Sequence, residues 1–401
     1  MSHTGRINLP NADNCMECNN CVNSCGHDAI QLRYDFWGRS YPHINTDACV
    51  GCKLCERNCP ENTKATITRI SPKKCYAVIA KKEILEESSS GGFATQLSQF
   101  IIKQGGIVVG AAFDPFPRCH HIVVDKIDDL ARIQKSKYIY SHLDSILYGL
   151  RTVIRNNPNK NILFFGVPCQ IAAAKNFLRT SSNILYVEIL CHGTMPDFIF
   201  PKYLKGIEKR FNIIGTDFLF KGNKKCSDYL VYQKPQIIDA DNNGIKLSKW
   251  YKWFLVSFLE GYSYKTKCYN CNYVGNERIG DITIGDFWGL GKEKAFNHNQ
   301  KNGVSLVLVN SEKGELAFEE IRDSFGVVEE RSVSESVLQN QTLKRATDVP
   351  TGNTLYHLLL IIIPWWLLLP VHKIRFYWLN FCQAISWRIK SVLKLRQYGK
   401  N

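Results

Sequence analysis

Residues 15–25, CMECNNCVNSC, and residues 49–60, CVGCKLCERNCP, spell one spacing twice. Cys15, Cys18, Cys21 and Cys25 form the first C-x2-C-x2-C-x3-C run, and Cys49, Cys52, Cys55 and Cys59 form the second, closed by Pro60. Three thiolates in a tight loop grip three corners of an iron–sulfur cubane, and in two-cluster domains the fourth cysteine of each run reaches across to the other cluster. The spacing therefore predicts one 4Fe-4S cluster on Cys15, Cys18, Cys21 and Cys59 and another on Cys49, Cys52, Cys55 and Cys25.

Two other chemistries use many cysteines. Disulfides require an oxidising compartment, and the opening residues MSHTGRINLP have neither the basic start nor the apolar core of a secretory signal. Zinc sites usually pair C-x2-C units across a longer spacer. Gly26, where proline would be usual, leaves all eight ligands in place.

A chain of 401 residues has room for two or three domains, and 45 % hydrophobic residues suffice for a sizeable core, which excludes a disordered chain. The net charge of +15 could suggest nucleic acid, but its distribution argues otherwise. Seven of the 51 Lys and Arg, and none of the 36 Asp and Glu, lie from Leu355 onward, so almost half the excess belongs to the tail.

Between the cysteine runs, Ala29–Tyr34 and Arg39–Ile44 read as a hairpin turning at Trp37–Gly38, and the alternating Thr66–Ile70 reads as a closing strand. Ser71–Pro72 then breaks the pattern. Beyond it, strand-like Tyr76–Ala80, Ile107–Phe113, His121–Asp125 and Ile162–Phe165 alternate with helical stretches such as Phe93–Gln104. The expected fold class is α+β: a two-cluster ferredoxin-like domain (1–71), a larger mixed α/β domain (72–348) and an apolar, basic helical tail (349–401).

Seven blocks occur in one order: SSSGGFATQL (Ser88–Leu97), VVGAAFD (Val108–Asp114), KSKYIYS (Lys135–Ser141), GVPCQIAAAK (Gly166–Lys175), CHGTMPD (Cys191–Asp197), FKG (Phe220–Gly222) and KCYNC with GDITIGDFWG (Lys267–Gly289). Together they resemble the coenzyme F420 hydrogenase/dehydrogenase beta-subunit family, in the bacterial form fused to a two-cluster ferredoxin and associated with polysaccharide biosynthesis. The likeness covers roughly Cys15 to Arg345 and implies a flavin-binding body that carries FAD.

Each block also has its own chemistry. Ser88, Ser89, Ser90, Gly91 and Gly92 precede a helix, so their hydroxyls, backbone N–H groups and the positive helix end can hold a phosphate. Such a loop is equally a capped helix start; the resemblance makes it the site for the FAD pyrophosphate. Lys137 and Tyr138 offer a cation and a hydroxyl to the same group or to the flavin ring, or they are a solvated loop. Cys169 and Cys191 each follow an apolar strand-like run, which puts both at strand ends on one sheet edge, and Cys268 and Cys271 form a C-x2-C hook. Four thiols gathered by a fold make a third 4Fe-4S site or a structural zinc site; the resemblance favours the cluster. His192 can tune that cluster or the flavin through a hydrogen bond. The resemblance puts Asp286 near flavin or substrate. His120 and His121, as neighbours on a strand, face opposite ways and are assigned no site. Cys75, Cys119, Cys226 and Cys382 share no spacing and read as ordinary thiols.

The tail segment Leu355–Val371 is intensely apolar but shorter than the ~20 residues a spanning helix needs, and Lys373–Lys400 mixes aromatic with basic residues. That combination suits a helix lying on an anionic membrane surface; a core helix with a basic cap is the soluble alternative. Nucleic acid is disfavoured, because the aromatics cluster with aliphatics.

Clusters carry single electrons and a flavin one or two. The parts imply an oxidoreductase relaying electrons between clusters and FAD, with a ferredoxin, deazaflavin or nicotinamide redox partner. The resemblance to polysaccharide-associated forms implies a nucleotide- or lipid-linked sugar as substrate, and the tail suggests the inner face of the cell membrane as the cytoplasmic location. An electron-transfer module that docks a partner enzyme, or a deazaflavin-dependent dehydrogenase component, is the competing class.

Overall fold

Two matched loops open the chain in the computed structural model, which describes residues 7–64, 66–179, 183–220, 236–239, 241, 243–246 and 253–363. Glu17 and Asn19 in the first cysteine run, and Gly51 and Lys53 at the equivalent places in the second, have φ of 57°, 60°, 71° and 60°. Left-handed backbone is uncommon for residues other than glycine. Its recurrence at matched positions means that the repeated spacing folds into one repeated loop shape. Each loop runs into a helical turn, Asn20–Asn23 or Leu54–Arg57. Between them β1 (Ile30–Tyr34) and β2 (Ser40–Ile44) form the expected antiparallel hairpin, with Ile30 opposite Ile44. The Asp35 carboxylate accepts from Trp37 N and Arg39 N to close its turn.

Thr66–Ile70 does not form a strand. Ile70 makes an isolated bridge to Arg278, each backbone N–H donating to the other's carbonyl at 2.8 Å. The segment is thus tied to the body of the protein rather than to the hairpin.

The body is built on eight strands. In chain order they are β3 (Lys74–Ile79), β4 (Ile107–Phe113), β5 (Cys119–Val124), β6 (Ile162–Gly166), β7 (Ile184–Ile189), and, after a small three-stranded sheet of β8 (Gly215–Leu219), β9 (Gln236–Asp239) and β10 (Gly244–Lys246), β11 (Ile282–Asp286), β12 (Ser305–Val309) and β13 (Val327–Arg331). Across the large sheet the order is β13-β3-β12-β11-β7-β6-β4-β5. β11, β7, β6 and β4 are parallel neighbours. β12 is antiparallel to both β11 and β3, so β3 runs with the parallel set.

Both faces of this sheet are covered, which is why its strands read as continuous apolar runs. Val108, Leu163, Leu185 and Val187 pack on one face beneath helices Phe93–Lys103 and Glu312–Ile321. Ile107, Val109, Ile162, Phe164, Ile184 and Tyr186 point to the other, under helices Ile146–Asn156 and Pro168–Leu178. A second, aromatic core lies between β7 and β11 in sequence, where Phe200, Phe218, Phe220 and Phe254 pack ring against ring.

Helix Asn353–Ile362, the start of the apolar tail, buries Tyr356 and Leu360 in that aromatic core, and Lys202 Nζ caps its end by donating to the Ile361 carbonyl at 3.1 Å. Leu355 and Ile362 stay exposed on its outer side. Among the described residues no helix is long and apolar enough to cross a membrane. Residues 364–401, which hold most of the expected surface tail and Cys382, lie outside the described residues, as do Cys226 and the Lys221–Gly222 part of the FKG block.

Candidate redox site

The described cysteines are all free thiols, and twelve of them gather in three places. In the first, burial pushes Cys15 and Cys21 up to about 12, and Cys59, from the second run, acts electrostatically on Cys15, Cys18 and Cys21. In the second, a cavity is lined by Cys25, Cys49, Cys52 and Cys55 together with Ile30 and Ile44. The fourth cysteine of each run therefore lies beside the other run. Alternation of right- and left-handed residues in such loops turns successive N–H groups toward one point, a concavity suited to an anionic cluster. Glu17 N donates to Cys15 Sγ, and Ala29 N to Cys25 Sγ, each at 3.4 Å. Cys52 is exposed while Cys15, Cys21 and Cys59 are buried, so the second place faces solvent and the first faces the body.

The third place is made by the large sheet. β6 and β7 are adjacent and parallel, Gly166 opposite Glu188, so the residues that follow them leave the same sheet edge. Cys169 follows β6 and Cys191 follows β7, as expected. Cys268 lies in the short helix Thr266–Tyr269, with Cys271 just after it. Burial raises the Cys169 thiol well above its ordinary value, followed by the negative charges of Cys191, Cys271 and Cys268. Two N–H groups point at these sulfurs: Thr194 N at Cys268 Sγ and Tyr273 N at Cys271 Sγ, each at 3.4 Å. Arg278 is buried in an ion pair with Glu188 at 2.5 Å, and its charge favours the thiolates of Cys191 and Cys271. Among the described residues no three His, Cys, Asp or Glu side chains converge as tightly as a single metal ion demands.

Other candidates share that edge. β11 is the next strand, parallel to β7, and Asp286 ends it. Burial lowers the pKa of His192, and Asp286 partly offsets this, so these two candidates sit within electrostatic reach of each other. Beyond β3, Ser88–Gly92 leads into helix Phe93–Lys103 with Gly92 as its N-cap. Ser88 Oγ donates to the Ile84 carbonyl, Ser89 Oγ accepts from Ser136 N at 2.8 Å, and buried Ser90 Oγ has no hydrogen-bond partner among the described residues. Gly91 is pressed between Val78 O and Ser305 N, where a Cβ would not fit. Lys137 Nζ donates to Gln134 O at 2.9 Å, and burial lowers its pKa. Tyr138 packs on Phe220 and Phe258. Asp281 is at the opposite end of β11 from Asp286, receiving Tyr186 N at 2.9 Å. His121 is buried against Phe165 O and Ser141 Oγ while His120 faces Asp144, so the two histidines do diverge.

Several residues between the first and third places escaped sequence reasoning. Tyr140 is buried near Cys169, Glu17 and Cys18. Tyr273 is near Cys169, Glu61, Cys18 and Cys271, and its buried hydroxyl has no hydrogen-bond partner among the described residues. Lys265 Nζ meets Glu17 Oε2 at 2.5 Å and Asp197 Oδ1 at 3.4 Å, and Lys267 pairs with Glu61 at 2.6 Å. Glu17 lies within the first cysteine run and Glu61 just after the second, while Lys265 and Lys267 precede Cys268, and only this opposition of charge hints at the pairing.

Residues 14–63, with all eight N-terminal cysteines, match the family described as the 4Fe-4S dicluster domain. Residues 159–336, with Cys169, Cys191, His192, Cys268, Cys271 and Asp286, match the family described as the C terminus of the coenzyme F420 hydrogenase/dehydrogenase beta subunit. Ser88–Gly92, Lys137 and Tyr138 fall outside both. The chain is similar to ferredoxin-type protein NapF of Haemophilus influenzae, 38% identical over 47 residues. That stretch is 12% of this chain and 27% of NapF, so the chain spans about a quarter of that relative's length. It is also similar to a chain of the F420-reducing NiFe hydrogenase complex from Methanosarcina barkeri, with 17% identity, a TM-score of 0.45, and coverage of 72% of this chain and 88% of that one.

Proposed function

We propose that this chain, whose residues 14–63 match the 4Fe-4S dicluster domain and residues 159–336 the C terminus of coenzyme F420 hydrogenase/dehydrogenase beta subunits, is an iron–sulfur flavoprotein oxidoreductase with three cubanes in line. The observation that carries this reading is the approach of Cys18 to the third group of thiols: Cys18, Cys169 and Cys271 pack against one buried cluster of side chains that includes Met16 and Tyr273. Cys49, Cys52, Cys55 and Cys25 would hold the outer cluster, Cys15, Cys18, Cys21 and Cys59 the middle one, and Cys169, Cys191, Cys268 and Cys271 the inner one. Exposed Cys52 marks the side where a redox partner docks.

For the flavin, the residues of this chain fit at the C-terminal edge of the parallel strands, the usual ligand edge of such sheets. Ser90 Oγ, without a partner among the described residues, and the N-terminus of helix Phe93–Lys103 suit a phosphate, and Gly91 and Gly92 let backbone approach it. Lys137 and Tyr138 brace the neighbouring loop that Ser136 ties to Ser89. His192 and Asp286, within electrostatic reach of each other on the same edge, are the residues this reading assigns to flavin or substrate. FAD bound there would convert single electrons from the iron–sulfur side into two-electron chemistry. The resemblance to polysaccharide-associated forms points to a nucleotide- or lipid-linked sugar as substrate. Attachment to the inner membrane surface is assigned to residues beyond Ile363.

Anaerobic purification, with iron, sulfide, zinc and flavin counted per chain, tests the reading. About twelve irons and one flavin are expected from three cubanes. About eight irons with zinc would sink the third cluster, and absence of flavin would leave an electron carrier.

A further inference from the structure

Between the first and third groups of thiols runs one buried ion pair whose two ends belong to different groups. Glu17 lies in the loop between Cys15 and Cys18, and its backbone N–H donates to Cys15 Sγ. Lys265 lies three residues before Cys268, whose N–H donates to the Lys265 carbonyl at 2.9 Å. Lys265 N in turn donates to the carbonyl of Thr194, the residue whose own N–H points at Cys268 Sγ. The side chains meet across the junction at 2.5 Å, with Glu17 only 3% and Lys265 only 7% exposed. Ser40 N donates to Glu17 Oε1, and the Lys265 ammonium stands 4.0 Å over the Tyr140 ring, so both ends are held in place. Asp197, itself 2.9 Å from His142 Nε2, completes the network.

We propose that Glu17 and Lys265 form an oriented dipole, negative toward the Cys15/Cys18/Cys21/Cys59 site and positive toward the Cys169/Cys191/Cys268/Cys271 site, which makes the second easier to reduce than the first. This rests on the three-cluster reading. An added electron is a negative charge, and charges removed from water act strongly over short distances. The anchoring sets the direction: the glutamate sits inside the Cys15–Cys18 loop with its own N–H on Cys15 Sγ, whereas the lysine carbonyl receives Cys268 N. Electrons entering at the exposed side would therefore rest preferentially on the inner site.

The test is an anaerobic redox titration of the full chain followed by electron paramagnetic resonance, with iron counted in every sample. Glu17→Gln/Lys265→Met removes both charges together and leaves neither of the pair buried alone. The equilibrium constant for sharing one electron between middle and inner sites is expected to fall about tenfold, about 59 mV for a one-electron couple. Lys265→Arg, which keeps the charge, is expected to preserve the gap. An unchanged gap in the double variant at wild-type iron content, or an equal shift of all three sites, would overturn the inference. If the double variant loses iron, Lys265→Gln against Lys265→Arg provides the same comparison, and equal gaps in those two would overturn it. About eight irons in the unmutated chain would overturn the three-cluster reading and this inference together.

Discussion

Tyr140 Oη donates a 2.7 Å hydrogen bond to the Met16 carbonyl, joining the body to the first cysteine loop. Asn20 Nδ2 does the same from the other direction, donating to Ala173 O at 2.9 Å, and the Phe198 ring lies so close over Gly38 that a Cβ there would collide with it. The ferredoxin domain is thus docked on the body through buried polar contacts. Tyr140→Phe should destabilise the protein by about 1–3 kcal/mol, because the Met16 carbonyl is left buried without its donor. Urea unfolding of the anaerobic protein measures this, and an unchanged midpoint would mean that water replaces the hydroxyl.

The proposed crossed pairing of the two cysteine runs makes a spectroscopic prediction. Cys25→Ser should perturb the same resonance as Cys52→Ser, since both line one cavity, while Cys59→Ser should perturb the resonance altered by Cys15→Ser. Matching of Cys25 with Cys15 instead would show that each run holds its own cluster.

In the serine loop, neighbouring residues should behave oppositely. Gly91→Ala forces a Cβ into the backbone of Val78 and Ser305 and should cost about 3 kcal/mol. Ser90→Ala removes a hydroxyl that bonds to no described residue, so stability should change by less than about 0.5 kcal/mol. Its flavin content per chain should nevertheless fall; full flavin content would remove Ser90 from the phosphate site.

His121 couples stability to pH. Burial lowers its pKa from 6.5 to about 4 in the folded chain, where Nε2–H donates to Phe165 O and Nδ1 accepts from Ser141. Between those values the unfolded chain binds the proton that the folded chain refuses. Stability therefore falls as pH drops from about 6.5 toward about 4, by at most about 3 kcal/mol, and His121 adds no further dependence below that. His121→Gln should lose this part of the slope, read as the difference from wild type in urea midpoints at about pH 7.5 and about pH 5.

Truncation after Ile363 should release the protein from anionic vesicles without unfolding it, because Tyr356 and Leu360, which anchor the preceding helix in the aromatic core, are retained. Truncation before Asn353 should also weaken the fold. Undiminished vesicle binding by the shorter chain would assign the membrane contact elsewhere.

What could be read from the chain alone was local. Ligands three residues apart are held by one loop, so the spacing of Cys15 to Cys59 was enough to mark a 4Fe-4S ferredoxin domain. Strand β4 and helix Phe93–Lys103 were legible because apolar periodicity over a few residues reports which faces are buried. Even the shared edge of Cys169 and Cys191 followed from two apolar runs ending at equivalent points. Tertiary structure decided what depends on distant residues meeting. Thr66–Ile70 alternates like a strand, but its partner is Arg278. Lys137 Nζ donates to Gln134 O, a local bond that the chain's spacing does not announce. Glu17 and Lys265 are 248 residues apart, and no periodicity or spacing encodes such a contact. Burial creates its force, since two charges that would be screened in water act strongly on each other and on the neighbouring thiols once the docked domains exclude solvent.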